Sequence, residues 1–337
     1  MVTVIMETEE VVEDIVIVGA GIAGLTTSLG LHRHLNLISL LSLSLSHMIV
    51  TTLVTGTQTS VMPFTETGNQ QRDREIRCVK RKLLLEALAN ELPSGTIRYL
   101  SKVVAIVESG FYKILHLADG TTIKNKVHGC LQLKKILIGF DGVNSVVAKW
   151  LGFKNASFTG RYSVRGFAEV QNNHSRCLPL SHLLVHFSWL ADKELEDNPT
   201  KLKEYVLNTL EKMPSDVRYY IEKIKLDVFL LAPLGYRHPW ELMFGNISKG
   251  NACVGGDAFH PMTPDLGQGG CCALEDGVVL SGCLAEAFSK PSTHIKENDK
   301  EANQYRRIEE SLKKYANERR WRSIDVNATT YMVGYIQ

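Results

Sequence analysis

The feature that most constrains the fold is a glycine-rich turn near the N-terminus. Residues 15–18 read Ile-Val-Ile-Val, a β-branched run typical of a parallel strand buried on both faces. Gly19, Gly21 and Gly24 follow at once, and the next residues have the apolar spacing of a helix. A GxGxxG pattern alone is a weak signal, but between a buried strand and a helix it predicts a dinucleotide-binding unit.

Each glycine has a separate task in such a unit. Gly19 permits the tight turn, Gly21 lets backbone N–H groups approach a pyrophosphate, and Gly24 allows close packing of helix on strand. The helix N-terminus adds a partial positive charge that favours phosphate. A tight turn without a ligand is the alternative interpretation.

The segment that follows departs from this pattern. Dinucleotide-binding units carry Asp or Glu about 20 residues further on to bond the ribose, whereas residues 15–65 contain no acidic side chain. Residues 35–54 are uncharged and long enough to raise the question of a membrane span. Eight of these twenty residues are Asn, Ser, His or Thr, and a Leu-Ser alternation has period two. We therefore expect a half-buried strand in preference to a membrane helix.

Two further strands are predicted to end in aspartate beside glycine. Residues 136–138 are a buried run that leads into Asp141 and Gly142, and residues 252–254 lead into Asp257. The carboxyl ends of strands are where ligands bind in open α/β folds. An ordinary Asp-Gly turn is the alternative for the first of the two.

A second glycine-rich loop is predicted to open another helix. Pro261 and Pro264 exclude a helix at their own positions, and residues 267–270 (Gly-Gln-Gly-Gly) lead into a helical pattern. His260 in the same loop is a candidate base, but we expect a structural histidine because it precedes proline in a tight loop.

Charge and cysteine content exclude several classes of function. The formal net charge is +2, which supplies no basic field for nucleic acid. The seven cysteines include no CxxC pair, so we predict no metal site and expect reduced thiols. The acidic N-terminus lacks the basic region of a signal or transit peptide, which predicts a cytoplasmic protein.

Three stretches together resemble a known family. GAGIAGL at 19–25, IGFDGVNSVVAKWLG at 138–152 and GGDAFHPMTPDLGQGGCCALEDG at 255–277 are similar to the FAD-dependent single-component monooxygenases of the aromatic-hydroxylase type. The most similar branch comprises plant monooxygenases that also resemble zeaxanthin epoxidase. RCVKRKLLLEALA at 77–89, predicted as a helix with a basic front, resembles the same branch.

This resemblance implies the fold class and the domains. We expect an α/β fold, with a Rossmann-like FAD-binding domain discontinuous in sequence and a smaller α+β substrate domain. The FAD-binding domain would comprise residues 10–160 and 232–290, and a shortened substrate domain residues 161–231. Residues 291–337 would form a C-terminal helical segment, and the charged residues at 297–322 predict a solvated surface helix there.

The resemblance also implies the residues that bind FAD. The first glycines would hold the pyrophosphate, and Arg81 would approach the FAD. Asp141 and Gly142 would lie near the FAD and the transient nicotinamide cofactor, and Asp257 would bond the ribityl chain. The second glycine-rich loop would lie beside the flavin ring. The complete implied set is Gly19, Gly21, Ala23, Gly24, Arg81, Asp141, Gly142, Asp257, Pro264, Gly267, Gly269 and Gly270.

The chemistry implied by the family belongs to its cofactor. NADPH or NADH would reduce the flavin, O2 would add to give a hydroperoxyflavin, and one oxygen atom would hydroxylate or epoxidise a small organic substrate. Because the cofactor carries the reaction, no catalytic side chain is assigned. The helix after the second loop would stabilise negative charge on the reduced ring by roughly 0.3–2 kcal/mol.

Departures from the family leave alternatives open. The acid-free span replaces the residue expected at the ribose, HGCLQLKK at 128–135 looks inserted, and residues 171–190 look too short for the usual substrate-covering strands. A non-catalytic homologue or abnormal splice form with weak or no FAD binding is therefore the alternative to an enzyme. A membrane-anchored protein that uses residues 35–54 is a further alternative.

Overall fold

The computed structural model describes most of the chain, in two compact units. The described residues are 10–13, 15–33, 47–51, 58–63, 81–109, 112–120, 122–126, 136–169, 182–189, 198–211, 215–289 and 297–336. The first unit takes its described residues from 1–41, 79–157 and 236–336, and the second takes them from 42–78 and 158–235. The predicted domain boundaries stay a prediction.

The described chain contains both strands and helices. The strands are β1 (Glu10–Glu13), β2 (Ile15–Val18), β3 (His47–Thr51), β4 (Gln58–Pro63), β5 (Val103–Ser109), β6 (Tyr112–Leu117), β7 (Thr122–Lys126), β8 (Ile136–Gly139), β9 (Ser157–Glu169), β10 (His182–Trp189), β11 (Leu230–Tyr236), β12 (Ser248–Lys249) and β13 (Ala252–Val254). The helices are α1 (Ile22–Arg33), α2 (Arg81–Asn90), α3 (Val146–Trp150), α4 (Pro199–Thr209), α5 (Ser215–Lys223), α6 (Pro239–Phe244), α7 (Gly269–Ser289) and α8 (Glu297–Ile336).

The central sheet of the first unit has the order β12-β13-β8-β2, and its last three strands are parallel. β8 is buried along its whole length, as its apolar sequence predicted. Within the described residues β2 has a strand neighbour on one side only. The other side is where a dinucleotide-binding unit carries its acidic ribose strand. The Leu-Ser alternation at 39–46 and the stretch 128–135 lie outside the described residues.

Glycines let the first helix and the helix after the second loop pack closely on each other. A Cβ added to Gly30 of α1 would lie 2.2 Å from Oγ of Ser281 in α7, and one added to Gly277 would lie 2.7 Å from Cβ of Thr26. Both distances are below normal van der Waals contact, so side chains at these positions would push the helices apart. This packing fixes the starts of α1 and α7 relative to each other.

The prediction of a C-terminal helix is confirmed, but the expectation that it is a solvated surface helix is wrong. Ile308, Leu312 and Tyr315 are buried on one face of α8, and Arg319 and Asn327 continue the buried line. This spacing places all five on one side of a helix. The charged residues that dominate the composition of α8 lie mainly on its other faces. Composition alone therefore does not reveal the buried face.

The second unit contains a three-stranded sheet of order β10-β9-β11 and the antiparallel pair β3–β4. Its helix α4 begins at Pro199, because the Asn198 side chain accepts a hydrogen bond from the Lys201 N–H and proline is favoured in the first turn. β3 accounts for residues 47–51 of the uncharged stretch as a strand. Over the residues described, no helix combines the length and the apolar character needed to cross a membrane.

Candidate functional site

Three parallel strands of the first unit end side by side at one edge of their sheet. Val18, the last residue of β2, pairs with Gly139, the last residue of β8, and Val254, the last residue of β13, pairs with the same glycine. This edge is where ligands bind in open α/β sheets. The segments that follow the three strands, here termed the first, second and third strand-end segments, are residues 19–24, 140–142 and 255–257.

The first strand-end segment has no room for side chains at two glycines. A Cβ added to Gly19 would lie 2.2 Å from the carbonyl oxygen of Phe140, and the φ of Gly19 is +111°. A Cβ added to Gly24 would lie 1.9 Å from the carbonyl oxygen of Gly19. The Phe140 N–H donates to the carbonyl oxygen of Val18 at 2.7 Å. The first two segments are therefore in direct contact.

The start of α1 is open where an anion would approach. Among the described residues no atom lies within 4 Å of a Cβ added to Gly21, and the first turn of α1 carries no acidic side chain. The first N–H groups of a helix lack intrahelical acceptors, and the helix dipole adds positive charge there. Ala23 is buried against the third segment, since its Cβ lies 3.5 Å from a Cβ added to Gly256. This geometry fits a pyrophosphate beside Gly21.

Asp141 caps the helix that follows it. Its Oδ2 accepts hydrogen bonds from the N–H groups of Val146 at 2.7 Å and Val147 at 3.3 Å, and its Oδ1 accepts one from the Ser145 hydroxyl. Ser145 Oγ in turn accepts from the N–H of Ala148 at 2.8 Å. Both carboxylate oxygens are thus engaged at the start of α3. The contact of Asp141 with FAD and the nicotinamide cofactor stays a prediction.

Replacing Asp141 by alanine is expected to lower the free energy of unfolding by about 1–2 kcal/mol even without FAD, because the start of α3 loses its acceptor. Urea unfolding of the FAD-free protein measures the change. Asp141→Asn keeps one acceptor oxygen and should lose less. Equal stability of Asp141→Ala and the unsubstituted protein would contradict the capping role.

Two other predicted residues are open at this edge. Gly142 has a φ of +80°, and no atom of the described part of the chain lies within 4 Å of a Cβ added to it. Asp257 is exposed in a 3-10 turn, between the buried residues Gly256 and Ala258. Within the part of the chain that the structure describes, its carboxylate forms no hydrogen bond. Asp257 is therefore available to accept hydrogen bonds from ligand hydroxyls.

The second glycine-rich loop reaches the start of α1. Pro264 opens a short 3-10 turn that Gly267 ends with a φ of +64°, where its N–H donates to the carbonyl oxygen of Pro264 at 2.8 Å. α7 begins at Gly269, and its first turn carries no acidic side chain. A Cβ added to Gly270 would lie 3.7 Å from Cδ1 of Ile22. The N-termini of α7 and α1 are thereby brought together.

No contact among the described residues brings Arg81 to this edge. Arg81 is exposed at the first position of α2. α2 packs against α1 through Leu88, which forms a small apolar cluster with Leu25 and Leu29. The role of Arg81 toward FAD stays a prediction.

A buried ion cluster behind the third strand-end segment was missed by the sequence analysis. Asp276 of α7 is wholly buried, and its Oδ2 lies 2.6 Å from the backbone nitrogen of Gly256 and 2.6 Å from Nε2 of His260. Its Oδ1 accepts from Nε of Arg319 at 2.6 Å. The same arginine donates to Oε2 of Glu275 at 2.8 Å. Asp276 therefore joins the third segment to both α7 and α8.

Burial and charge act in opposite directions on this cluster. Burial alone would raise the pKa of Asp276, but the charges of His260 and Arg319 bring that pKa below its ordinary value. Burial alone would lower the pKa of His260, but Asp276 raises it. The His260 side chain is 0% exposed and Asp276 engages its Nε2. These contacts support the structural role expected of His260 and give it no access as a base.

A second buried arginine, also missed, holds the loop after the third segment. The Arg237 side chain donates to the carbonyl oxygens of Phe259 at 2.9 Å, Lys154 at 2.8 Å and Ala258 at 3.3 Å. Its guanidinium carbon lies 4.7 Å from the centre of the Phe153 ring. No local pattern predicts these contacts, because the partners are 21 to 83 residues away in sequence.

Comparison with curated proteins finds plant monooxygenases. The chain is 43% identical to Monooxygenase 2 of Arabidopsis thaliana, over 98% of this chain and 91% of the relative. It is 34% identical to Monooxygenase 1 of the same plant, over 77% of this chain and 67% of the relative. Zeaxanthin epoxidase of an Oncidium hybrid cultivar is 25% identical, over 73% of this chain and 37% of the relative. No family model matches the chain.

The alignment with Monooxygenase 2 contains gaps on the side of this chain. The alignment has 385 positions, whereas the chain has 337 residues. At least 48 positions are therefore gaps in this chain, opposite residues of the relative. This agrees with the interruptions noted in the sequence.

Comparison with solved structures confirms the predicted fold class. HpxO of Klebsiella pneumoniae, solved with FAD and uric acid, superposes with a TM-score of 0.72 at 18% identity, over 96% of this chain and 87% of that one. A salicylate hydroxylase substrate complex superposes with a TM-score of 0.59 at 18% identity, over 96% and 88% of the two chains. The fold is therefore α/β, with a Rossmann-like domain that is discontinuous in sequence and a smaller α+β domain.

Proposed function

Since the chain belongs to the FAD-dependent single-component monooxygenases, in the branch of the plant monooxygenases, we propose that it binds FAD and uses NADPH or NADH and O2 to hydroxylate or epoxidise a small organic substrate. The single observation that carries the proposal is the convergence of the three strand-end segments at one sheet edge, with the second glycine-rich loop beside them.

The residues at this edge fit FAD. The open space at Gly21 and the free N–H groups at the start of α1 would hold the pyrophosphate. The exposed carboxylate of Asp257 would accept hydrogen bonds from ribityl hydroxyls. The start of α7 at Gly269 and Gly270 would direct N–H groups toward the ring. Arg81, Asp141, Gly142, Pro264 and Gly267 are proposed as further contacts.

Bound FAD would supply the redox chemistry, in which NAD(P)H, a proton, O2 and the substrate give NAD(P)+, water and a product that carries one oxygen atom. The protein would contribute orientation and electrostatics. The N–H groups of the first turn of α7 would stabilise negative charge that develops on the ring, because no acidic side chain in that turn opposes them.

The substrate is proposed to be small and organic, and residues 161–231 are proposed to form its domain. One structural neighbour was solved with uric acid, and another is a substrate complex of a salicylate hydroxylase. These ligands are in line with that size class.

Measurement of flavin in the purified recombinant chain tests the proposal. We expect a yellow protein that releases FAD on denaturation, and oxidation of NAD(P)H that is stimulated by a subset of small aromatic or isoprenoid-like compounds. A folded, colourless chain that does not bind added FAD would overturn the proposal. That result would favour the non-catalytic homologue instead.

A further inference from the structure

We propose that Arg319 of α8 is a positioning residue for the FAD site, which acts through the buried carboxylate of Asp276 on the backbone of Gly256. The proposal rests on the FAD binding proposed above. It adds the C-terminal helix to a site whose sequence motifs all lie before residue 278.

The Asp276 carboxylate contacts both Gly256 and Arg319. Asp276 accepts from the Gly256 N–H at 2.6 Å through one oxygen and from Arg319 Nε at 2.6 Å through the other. Gly256 immediately precedes Asp257, the exposed carboxylate of the site. A displacement of Asp276 would therefore move the segment that presents Asp257.

Arg319 also forms hydrogen bonds with the start of α7. Its Nη2 donates to the carbonyl oxygen of Cys272 at 3.3 Å, and its Nη1 donates to Oε2 of Glu275 at 2.8 Å. Cys272 follows Gly269 and Gly270 in the first turn of α7. One guanidinium thus fixes the helix start and, through Asp276, the third strand-end segment.

A second contact from the same face of α8 reaches the same loop. The Asn327 Nδ2 donates to the carbonyl oxygen of Pro261 at 3.0 Å, and Asn327 is buried. Asn327 lies eight residues after Arg319, about two helical turns along. α8 is therefore attached to the polypeptide on both sides of His260, and the attachment has a defined register.

The chemistry of the cluster requires arginine. The planar guanidinium donates in three directions, to Asp276, Glu275 and the Cys272 carbonyl. A lysine ammonium is a point charge and cannot reproduce this fork. Arg319→Lys retains the positive charge beside Asp276 while it removes the geometry, so it separates positioning from charge.

The test measures FAD affinity and the environment of the bound flavin. FAD is titrated into apoprotein of Arg319→Lys and of the unsubstituted chain by flavin fluorescence, and visible circular dichroism is recorded on the complexes. We expect the dissociation constant to rise at least tenfold in Arg319→Lys and the flavin dichroism to change. Two controls lie on α8. Leu312→Ala makes a cavity on the buried face, and Arg322→Lys alters an exposed arginine that pairs with Glu275.

The controls distinguish positioning from general stability. Leu312→Ala should lower the melting temperature but change the dissociation constant less than twofold, and Arg322→Lys should change neither. A folded Arg319→Lys protein with unchanged affinity and unchanged dichroism would overturn the inference. So would a Leu312→Ala protein that loses as much affinity as Arg319→Lys.

A further variant covers the case in which Arg319→Lys does not fold. The double variant Arg319→Gln with Asp276→Asn removes both charges of this ion pair. His260 also loses the carboxylate that raises its pKa, so burial favours its neutral form. We expect it to fold and to bind FAD at least tenfold more weakly, and unchanged affinity would overturn the inference. If the unsubstituted chain binds no FAD, the proposed function fails and the inference fails with it.

Discussion

Replacing Gly24 by alanine is expected to destabilise the FAD-free protein by about 3 kcal/mol or more and to abolish FAD binding. The added Cβ would lie 1.9 Å from the carbonyl oxygen of Gly19, which is far inside van der Waals contact. The obstructing atom is backbone, so no side-chain rotation relieves the overlap. Gly19 cannot move away from the added Cβ, because its own backbone already packs closely against the carbonyl oxygen of Phe140.

Two other glycines serve as matched controls for Gly24→Ala. Gly282 in α7 is exposed, and within the ranges that the structure describes no atom lies within 4 Å of an added Cβ. Gly282→Ala should therefore stabilise the helix by up to about 1 kcal/mol. Gly21→Ala should cost no more than about 1 kcal/mol of stability, but it should weaken FAD binding because its Cβ occupies the proposed approach of the pyrophosphate.

Urea unfolding without FAD and titration with FAD measure the two effects separately. The expected pattern is loss of both properties in Gly24→Ala, loss of FAD affinity alone in Gly21→Ala and loss of neither in Gly282→Ala. A stable Gly24→Ala protein would contradict the packing described for the first strand-end segment. Unchanged FAD affinity in Gly21→Ala would contradict the proposed position of the pyrophosphate.

Replacing Arg237 by methionine is expected to lower the free energy of unfolding by about 3 kcal/mol or more. The side chain is 1% exposed and donates to three carbonyl oxygens. Each hydrogen bond from a charged donor is worth about 1.5–3 kcal/mol, and the bonds are not additive. Methionine would leave the buried carbonyls of Ala258 and Phe259 without this donor and would remove the cation from the face of Phe153.

Arg237 keeps its positive charge although it is buried, so the three hydrogen bonds come from a charged donor. Burial lowers the pKa of Arg237 and Glu241 raises it, but a guanidinium stays protonated in proteins. Arg237→Lys should therefore cost less than Arg237→Met, because the ammonium retains the charge and some of the contacts.

Arg218 of α5 provides the matched control for Arg237. Its side chain is 42% exposed and pairs with Glu222 one helical turn away, so Arg218→Met should change stability by less than about 0.5 kcal/mol. Chemical unfolding of the FAD-free proteins makes the comparison. Equal stabilities of the Arg237→Met and Arg218→Met proteins would contradict the role given to Arg237.

Local sequence was sufficient for the frame of the site. The β-branched run at 15–18 predicts a parallel strand buried on both faces. The structure has a parallel strand there, in which Val18 is buried and residues 15–17 are partly buried. The glycines after it predict a close backbone approach, and the structure shows this approach at Gly19 and Gly24. The N-terminal cap at Asn198 was equally local, since its partner is three residues away.

One contact was local but was not predicted. Asp141 caps α3 through Val146 and Val147, five and six residues further on, and Ser145 adds the usual cap. The sequence pattern around this aspartate indicated only a ligand or a turn. The spacing of an acid and a serine ahead of a helix was the signal available.

The sequence by itself determined the strands at 15–18, 136–138 and 252–254 and the turns after them that need glycine, because those properties depend on residues a few positions apart. Only the tertiary structure decided that α8 has a buried face, that Arg319 meets Asp276 from 43 residues away, and that Arg237 holds a carbonyl 83 residues away. The partner of a buried charge is set by which helices and strands pack together. Residue spacing carries no information about that choice, and the cost of an unpaired buried charge is met only in the folded chain.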